Sequence, residues 1–165
     1  MTSEELATHV AYSPYLRQFA IRVARASLGD RFYAIHGRLG DETRFWKGKQ
    51  SGDAFVRTPT FRKWDTRLKC YLASDDPENG FFRELKKAIN VVTANDLKGK
   101  EIDELRSLFP DDQVRQDMLG VLDKLICAQA IDFMGSPVST FSKEIKQMRA
   151  ITRYVFPELL NEPSP

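Results

Sequence analysis

From Ser13 to Leu28, apolar residues recur at spacings of three and four: Leu16, Phe19, Ala20, Val23 and Ala26 or Ser27. That spacing predicts an amphipathic helix. Arg17, Arg22 and Arg25 occupy much of its other surface, and Gly29-Asp30 ends it. The pattern then changes to a short continuous apolar run, Arg31 to His36, rich in strand formers and read as a buried strand. A polar, glycine-containing segment runs from Gly37 to about Pro59, long for a connection and therefore a functional loop in expectation. A short helix is expected over Pro59 to Leu68, and Lys69 to Ser74 is the second strand. Pro77 to Ala88 has Phe81, Phe82, Leu85 and Ile89 on one side of a helix, and Ile89 to Thr93 is the third strand. A loop from Asp96 to Pro110 carries a short helix around Ile102 to Phe109. Asp111 or Asp112 caps a longer helix to about Ala128, with Val114, Met118, Leu119, Val121, Leu122, Leu125 and Ile126 as its apolar positions. A fourth strand lies within Gln129 to Met134, a turn follows, and a last helix runs from near Ser139 to about Tyr154. The tail from Pro157 to Pro165 is expected to be loose.

Strands alternate with helices, which argues for an α/β domain with a mainly parallel sheet. A length of 165 residues suits one domain, divided into a helical extension (1–30), a lobe (31–156) and the tail (157–165). Twenty-five basic against 23 acidic residues give a net charge of +2. That balance gives no reason to expect a nucleic-acid or anionic-membrane partner. No apolar stretch is long enough to span a bilayer, and the acidic start Met1 to Glu5 does not read as a signal peptide. Cys70 and Cys127 sit in apolar runs and read as two buried thiols.

Parallel open sheets bind ligands beyond the carboxyl ends of their strands, so the polar residues there carry the candidate chemistry. The first end is His36-Gly37-Arg38-Leu39-Gly40-Asp41. Arg38 is suited to forked hydrogen bonds with a phosphate; the competing assignment is a surface ion pair with Asp41 or Glu42. At the second end, Asp75 and Asp76 are candidate helix caps or carboxylates facing a ligand's hydroxyls. At the last end, Ser139, Thr140 and Ser142 surround a helix start, where hydroxyls cap the helix or help bind an anion. Asp123, among apolar neighbours on its helix, is either solvent-facing or turned into a cleft, where it would pair with the two edge donors of guanine. Neither His9 nor His36 has a partner at metal-ligand spacing. G-x-G-x-x-G, P-loop and G-x-S-x-G sequences are also absent.

Together these ends resemble a known family. Phe32-Tyr-Ala-Ile-His36-Gly-Arg38-Leu-Gly40-Asp41 resembles the strand and H-x-R-x-G-D loop of the GDP-fucose protein O-fucosyltransferases. Cys70 to Pro77 is similar to that family's second strand with its acidic end, and also to that of the related alpha-1,6-fucosyltransferases. Asp123 to Ala130 resembles its helix with Asp six residues before Gln-Ala, and Phe133 to Ser142 its G-x-x-V-S-T-F-S stretch. The order agrees over about Phe32 to Arg149. The resemblance implies a Rossmann-like, three-layer lobe, the nucleotide-sugar half of a two-lobed GT-B glycosyltransferase, with GDP-fucose as donor substrate and no metal. It implies transfer to a protein hydroxyl or a glycan acceptor, in the secretory lumen. By the same resemblance, Arg38 contacts the diphosphate and is the catalytic residue, Ser139, Thr140 and Phe141 hold the phosphates, Asp123 contacts guanine, and His36, Gly40, Asp41 and Asp75 line the donor site. Two departures stand out. Gly37 occupies a position where the family usually has a larger apolar residue, which predicts a more flexible loop. Residues 1–30 are also too few for the acceptor lobe, which predicts a donor site without its catalytic base. The other expectations are a non-catalytic GDP-binding module and an unrelated small α/β enzyme using Arg38 and Asp75 on a phosphorylated metabolite.

Overall fold

The computed structural model describes residues 12–39, 53–136 and 139–151. In it, α1 spans Pro14–Leu28, β1 Phe32–His36, α2 Asp53–Val56, β2 Lys69–Ala73, α3 Arg83–Ala88, β3 Asn90–Thr93, α4 Lys100–Leu108, α5 Asp112–Gln129, β4 Asp132–Gly135 and α6 Thr140–Ala150. The four strands form one open, parallel sheet in the order β3-β2-β1-β4.

Helix starts follow the side chains that can satisfy free N–H groups. Ser13 caps α1 and accepts from Leu16 N, with Pro14 in the first turn. Asp111, the first of the two expected candidates, caps α5 through Val114 N. Ser139 caps α6. Two helices are shorter than their apolar spacing predicts. Over Pro59 to Leu68 only a single 3-10 turn forms, Phe61–Lys63. The segment after β2 becomes helical only at a 3-10 turn, Gly80–Phe82, that runs into α3. Asn79 caps that turn by accepting from Phe81 N, so neither Asp75 nor Asp76 is its cap. By contrast α4 starts before the expected Ile102, because Gly99 takes a positive φ of 116° and lets the chain turn into it.

Side chains on a strand alternate between faces, and the core divides accordingly. Phe32, Ala34, Tyr71, Ala73, Val92 and Phe133 pack with α1, α4, α5 and α6. Tyr33, Ile35, Cys70, Leu72 and Met134 pack on the opposite face with Phe55, Phe61, Trp64, Phe82, Leu85 and Ile89. Trp64 stacks on Tyr33 at 4.3 Å and donates from Nε1 to Asp132 Oδ2, which ties the segment before β2 across β1 to β4. Both cysteines are buried free thiols, held protonated by the cost of ionising them away from water. No described helix is long and apolar enough to cross a membrane.

The strand order fixes where a ligand would sit. From β1 the chain proceeds outward to β2 and β3, then returns to place β4 on the other side of β1. The connections therefore diverge at the carboxyl end of β1, leaving a crevice beside His36.

Candidate functional site

A cavity of about 460 Å³ opens at that point. His36 and Arg38 reach it from the end of β1, Ala73, Ser74, Asp75 and Pro77 from the end of β2, and Ala94 and Asn95 from the end of β3. Gln116, Leu119, Gly120 and Asp123 line it from α5, and Phe141 from α6.

Of the residues expected to form a site, His36, Arg38, Asp75, Asp123 and Phe141 are brought together here. Ser139 and Thr140 are not among the lining. Ser139 is buried, and its hydroxyl accepts from Ser142 N, the ordinary capping role. Thr140 is exposed on the first turn of α6. Gly40 and Asp41 lie outside the described residues, so the expected ion pair between Arg38 and Asp41 does too. The α5 contribution was only partly legible. Gln116, Gly120 and Asp123 fall at i, i+4 and i+7, one stripe of a helix, and a glycine in an otherwise regular helix was the available signal. Among the described residues, nothing beyond the adjoining backbone of α5 lies within 4 Å of where a Cβ on Gly120 would stand, which leaves space open beside the cleft. Asn95 carried no such signal.

Each polar group has a distinct setting. Arg38 is exposed, and no hydrogen bond or ion pair ties its guanidinium to another described residue. Asp75 Oδ1 accepts from Leu39 N at 2.9 Å. This bond joins the loops after β1 and β2 and anchors the backbone next to Arg38. His36 is buried, its ring stacked on Phe141 at 4.5 Å and its Nδ1 2.7 Å from Ser142 Oγ. Lys124 lies 5.0 Å from the Phe141 ring centroid and pairs with Glu144. Asp123 is half-buried, contrary to the solvent-facing default, and accepts from the hydroxyl of the fully buried Tyr71 at 2.5 Å.

Two glycines allow these approaches. A Cβ on Gly135 would lie 2.5 Å from Ser142 Oγ, so only glycine lets the first turn of α6 close on β4. A Cβ on Gly37 would lie 2.7 Å from the ring of Phe82. Gly37 is buried and its N–H donates to Ala73 O. The expectation of a loose loop at Gly37 is therefore corrected. Phe82 occupies the space a side chain there would need, and the backbone at this position is pinned.

Burial drives two of the site's titratable groups, His36 and Asp123, in opposite directions. Loss of water lowers His36 to about 4, with Asp75 and Arg38 acting in opposite senses on it. The same cause raises Asp123 to about 7, against the hydrogen bond from Tyr71. Between about pH 4 and 6.5 the unfolded chain protonates His36 and the folded chain does not, so this group makes stability rise with pH. From about pH 4 to 7 the folded chain keeps Asp123 protonated and the unfolded chain does not, so this group makes stability fall with pH. Urea midpoints at pH 5 and pH 6.5 are expected to differ little in the wild type. They should rise with pH in Asp123→Asn and fall with pH in His36→Gln. Parallel profiles in all three would show that neither group is buried in the state described.

No protein-family model matches the chain, and no curated protein matches it. Among the described residues no group of three His, Cys, Asp or Glu side chains is arranged to hold a metal ion.

Proposed function

We propose that the chain is the GDP-fucose-binding lobe of a fucosyltransferase, a Rossmann-like domain of the GT-B kind that holds the donor while fucose passes to a protein hydroxyl or a glycan. The observation that carries this reading is convergence. His36, Arg38, Asp75, Asp123 and Phe141 belong to the segments that resemble the family, come from widely separated parts of the sequence, and line one cavity. Its volume lies in the range of small-molecule sites, about 300–1,000 Å³. In this reading Arg38 pairs with the diphosphate and stabilises the charge that develops as the sugar leaves. Asp123 as a carboxylate accepts from the two edge donors of guanine, and Phe141 packs beside the nucleotide. Both cavity carboxylates already accept hydrogen bonds from the chain itself, Asp75 from Leu39 and Asp123 from Tyr71. That favours donor binding over a complete transferase centre, because neither is placed as an uncommitted base.

Calorimetric titration with GDP, GDP-fucose, UDP and ADP tests the reading. Guanine nucleotides are expected to bind best, and GDP affinity to rise from pH 6 to pH 8 as Asp123 ionises. Asp123→Ala should weaken GDP far more than pyrophosphate, and Gly120→Phe, which fills the cleft, should weaken both. Equal affinity for all four ligands would sink the proposal.

A further inference from the structure

The first turn of α6 brings the buried hydroxyl of Ser142, a residue outside the set assigned to the nucleotide, onto His36. Ser142 is 1% exposed, and its hydroxyl makes one hydrogen bond, to His36 Nδ1, among the described residues. A buried hydroxyl hydrogen needs an acceptor. Among the described residues Nδ1 is the partner of that hydroxyl, and it accepts only when it carries no proton.

We propose that Ser142 is a positioning residue: its O–H donates to Nδ1 of His36, fixes the Nε2–H tautomer, and makes His36 a neutral hydrogen-bond donor to a ligand oxyanion in the cavity. The ring is neutral at pH 7 because burial lowers its pKa to about 4, so its single proton resides on Nε2 once Nδ1 is occupied as an acceptor. Phe141 stacked at 4.5 Å restricts the ring's rotation. Gly135 makes the arrangement possible, since a Cβ there would overlap Ser142 Oγ. With Nδ1 committed to α6, Nε2 is the nitrogen left for the cavity that His36 lines together with Arg38. An N–H directed at an oxyanion stabilises negative charge, and it cannot take a proton from an acceptor hydroxyl. His36 is thereby assigned to the leaving diphosphate and excluded as the base of the transfer. The ligand half of the inference rests on the donor-binding reading above; the tautomer does not.

The test is a long-range proton–nitrogen correlation spectrum of the ¹⁵N-histidine-labelled full chain at pH 7, with His36→Gln used to assign His36 against His9. The expected pattern for His36 is a protonated Nε2 and a bare Nδ1. Ser142→Ala should mix the two tautomers, and Ser142→Thr should restore one. A protonated Nδ1 in the wild type, or no change in Ser142→Ala, overturns the role of Ser142 with no ligand present. Pyrophosphate and GDP are then added. Each should shift the Nε2–H signal, and His36→Ala should lose about tenfold in pyrophosphate affinity. If GDP binds and leaves that signal unmoved, the oxyanion assignment fails. If GDP does not bind at all, the donor-binding reading fails while the tautomer result stands.

Discussion

Replacing Arg38 with alanine is expected to weaken GDP binding about ten- to a hundredfold and leave the fold unchanged. The magnitude follows from a hydrogen bond to an ionised group, worth roughly 1.5–3 kcal/mol. The specificity of the effect follows from the structure. Arg38 is exposed and bonded to no other described residue, so its removal strands no buried partner. The loop that carries it is held independently, by Leu39 N donating to Asp75 Oδ1 and Gly37 N donating to Ala73 O. Calorimetry with GDP and pyrophosphate, alongside a thermal melt, checks both halves. Both ligands should lose affinity by similar factors, since the partner proposed for the guanidinium is the diphosphate and not the base. Unchanged GDP affinity would remove Arg38 from the site.

Replacing Phe82 with alanine should cost about 3–5 kcal/mol of stability, a drop of roughly 6–20 °C in melting temperature. Phe82 is fully buried, packs edge-on to Phe81 at 5.2 Å, and lies against Gly37 closely enough to exclude a side chain there. Gly37→Leu alone should also destabilise, because backbone and ring have nowhere to go. The double variant Gly37→Leu/Phe82→Ala should recover part of the loss by refilling the space from the other side. If the two effects simply add, the rings and the loop do not share that space. Phe82, from the segment after β2, supplies the apolar bulk beside Gly37, so a small residue in the loop accompanies a large one in the core.

The stripes of apolar residues made most of the elements readable. The helix over Pro14–Leu28, all four strands and the long helix over Asp112–Gln129 follow their spacing within a residue or two. The segments that depart from their apolar spacing are short ones. Over Pro59 to Leu68 and Pro77 to Phe82 the apolar residues serve the second core face from turns and 3-10 geometry. A short apolar run cannot distinguish a helix from a turn that buries the same side chains.

The candidate site was legible in its strand ends and less so elsewhere. His36, Arg38 and Asp75 stand where a parallel sheet directs its ligands, and their residue types announced polar chemistry. Asp123 was ambiguous because helix position alone does not say whether a carboxylate meets water or a neighbour; Tyr71, 52 residues away, decides it. Ser139 shows the converse, a hydroxyl whose sequence context suggested an anion site and whose observed bond is a cap.

The sequence by itself determined the alternation of strands and helices, the parallel sheet and the polar character of the strand ends, because period and turn chemistry are local. Only the tertiary structure decided which of those polar groups share a cavity, that Asp75 anchors the loop next to Arg38, that Gly37 is pinned by Phe82, and that Ser142 meets His36 across 106 residues. These depend on strand order and close approach, which arise when distant segments pack and leave no periodic trace along the chain.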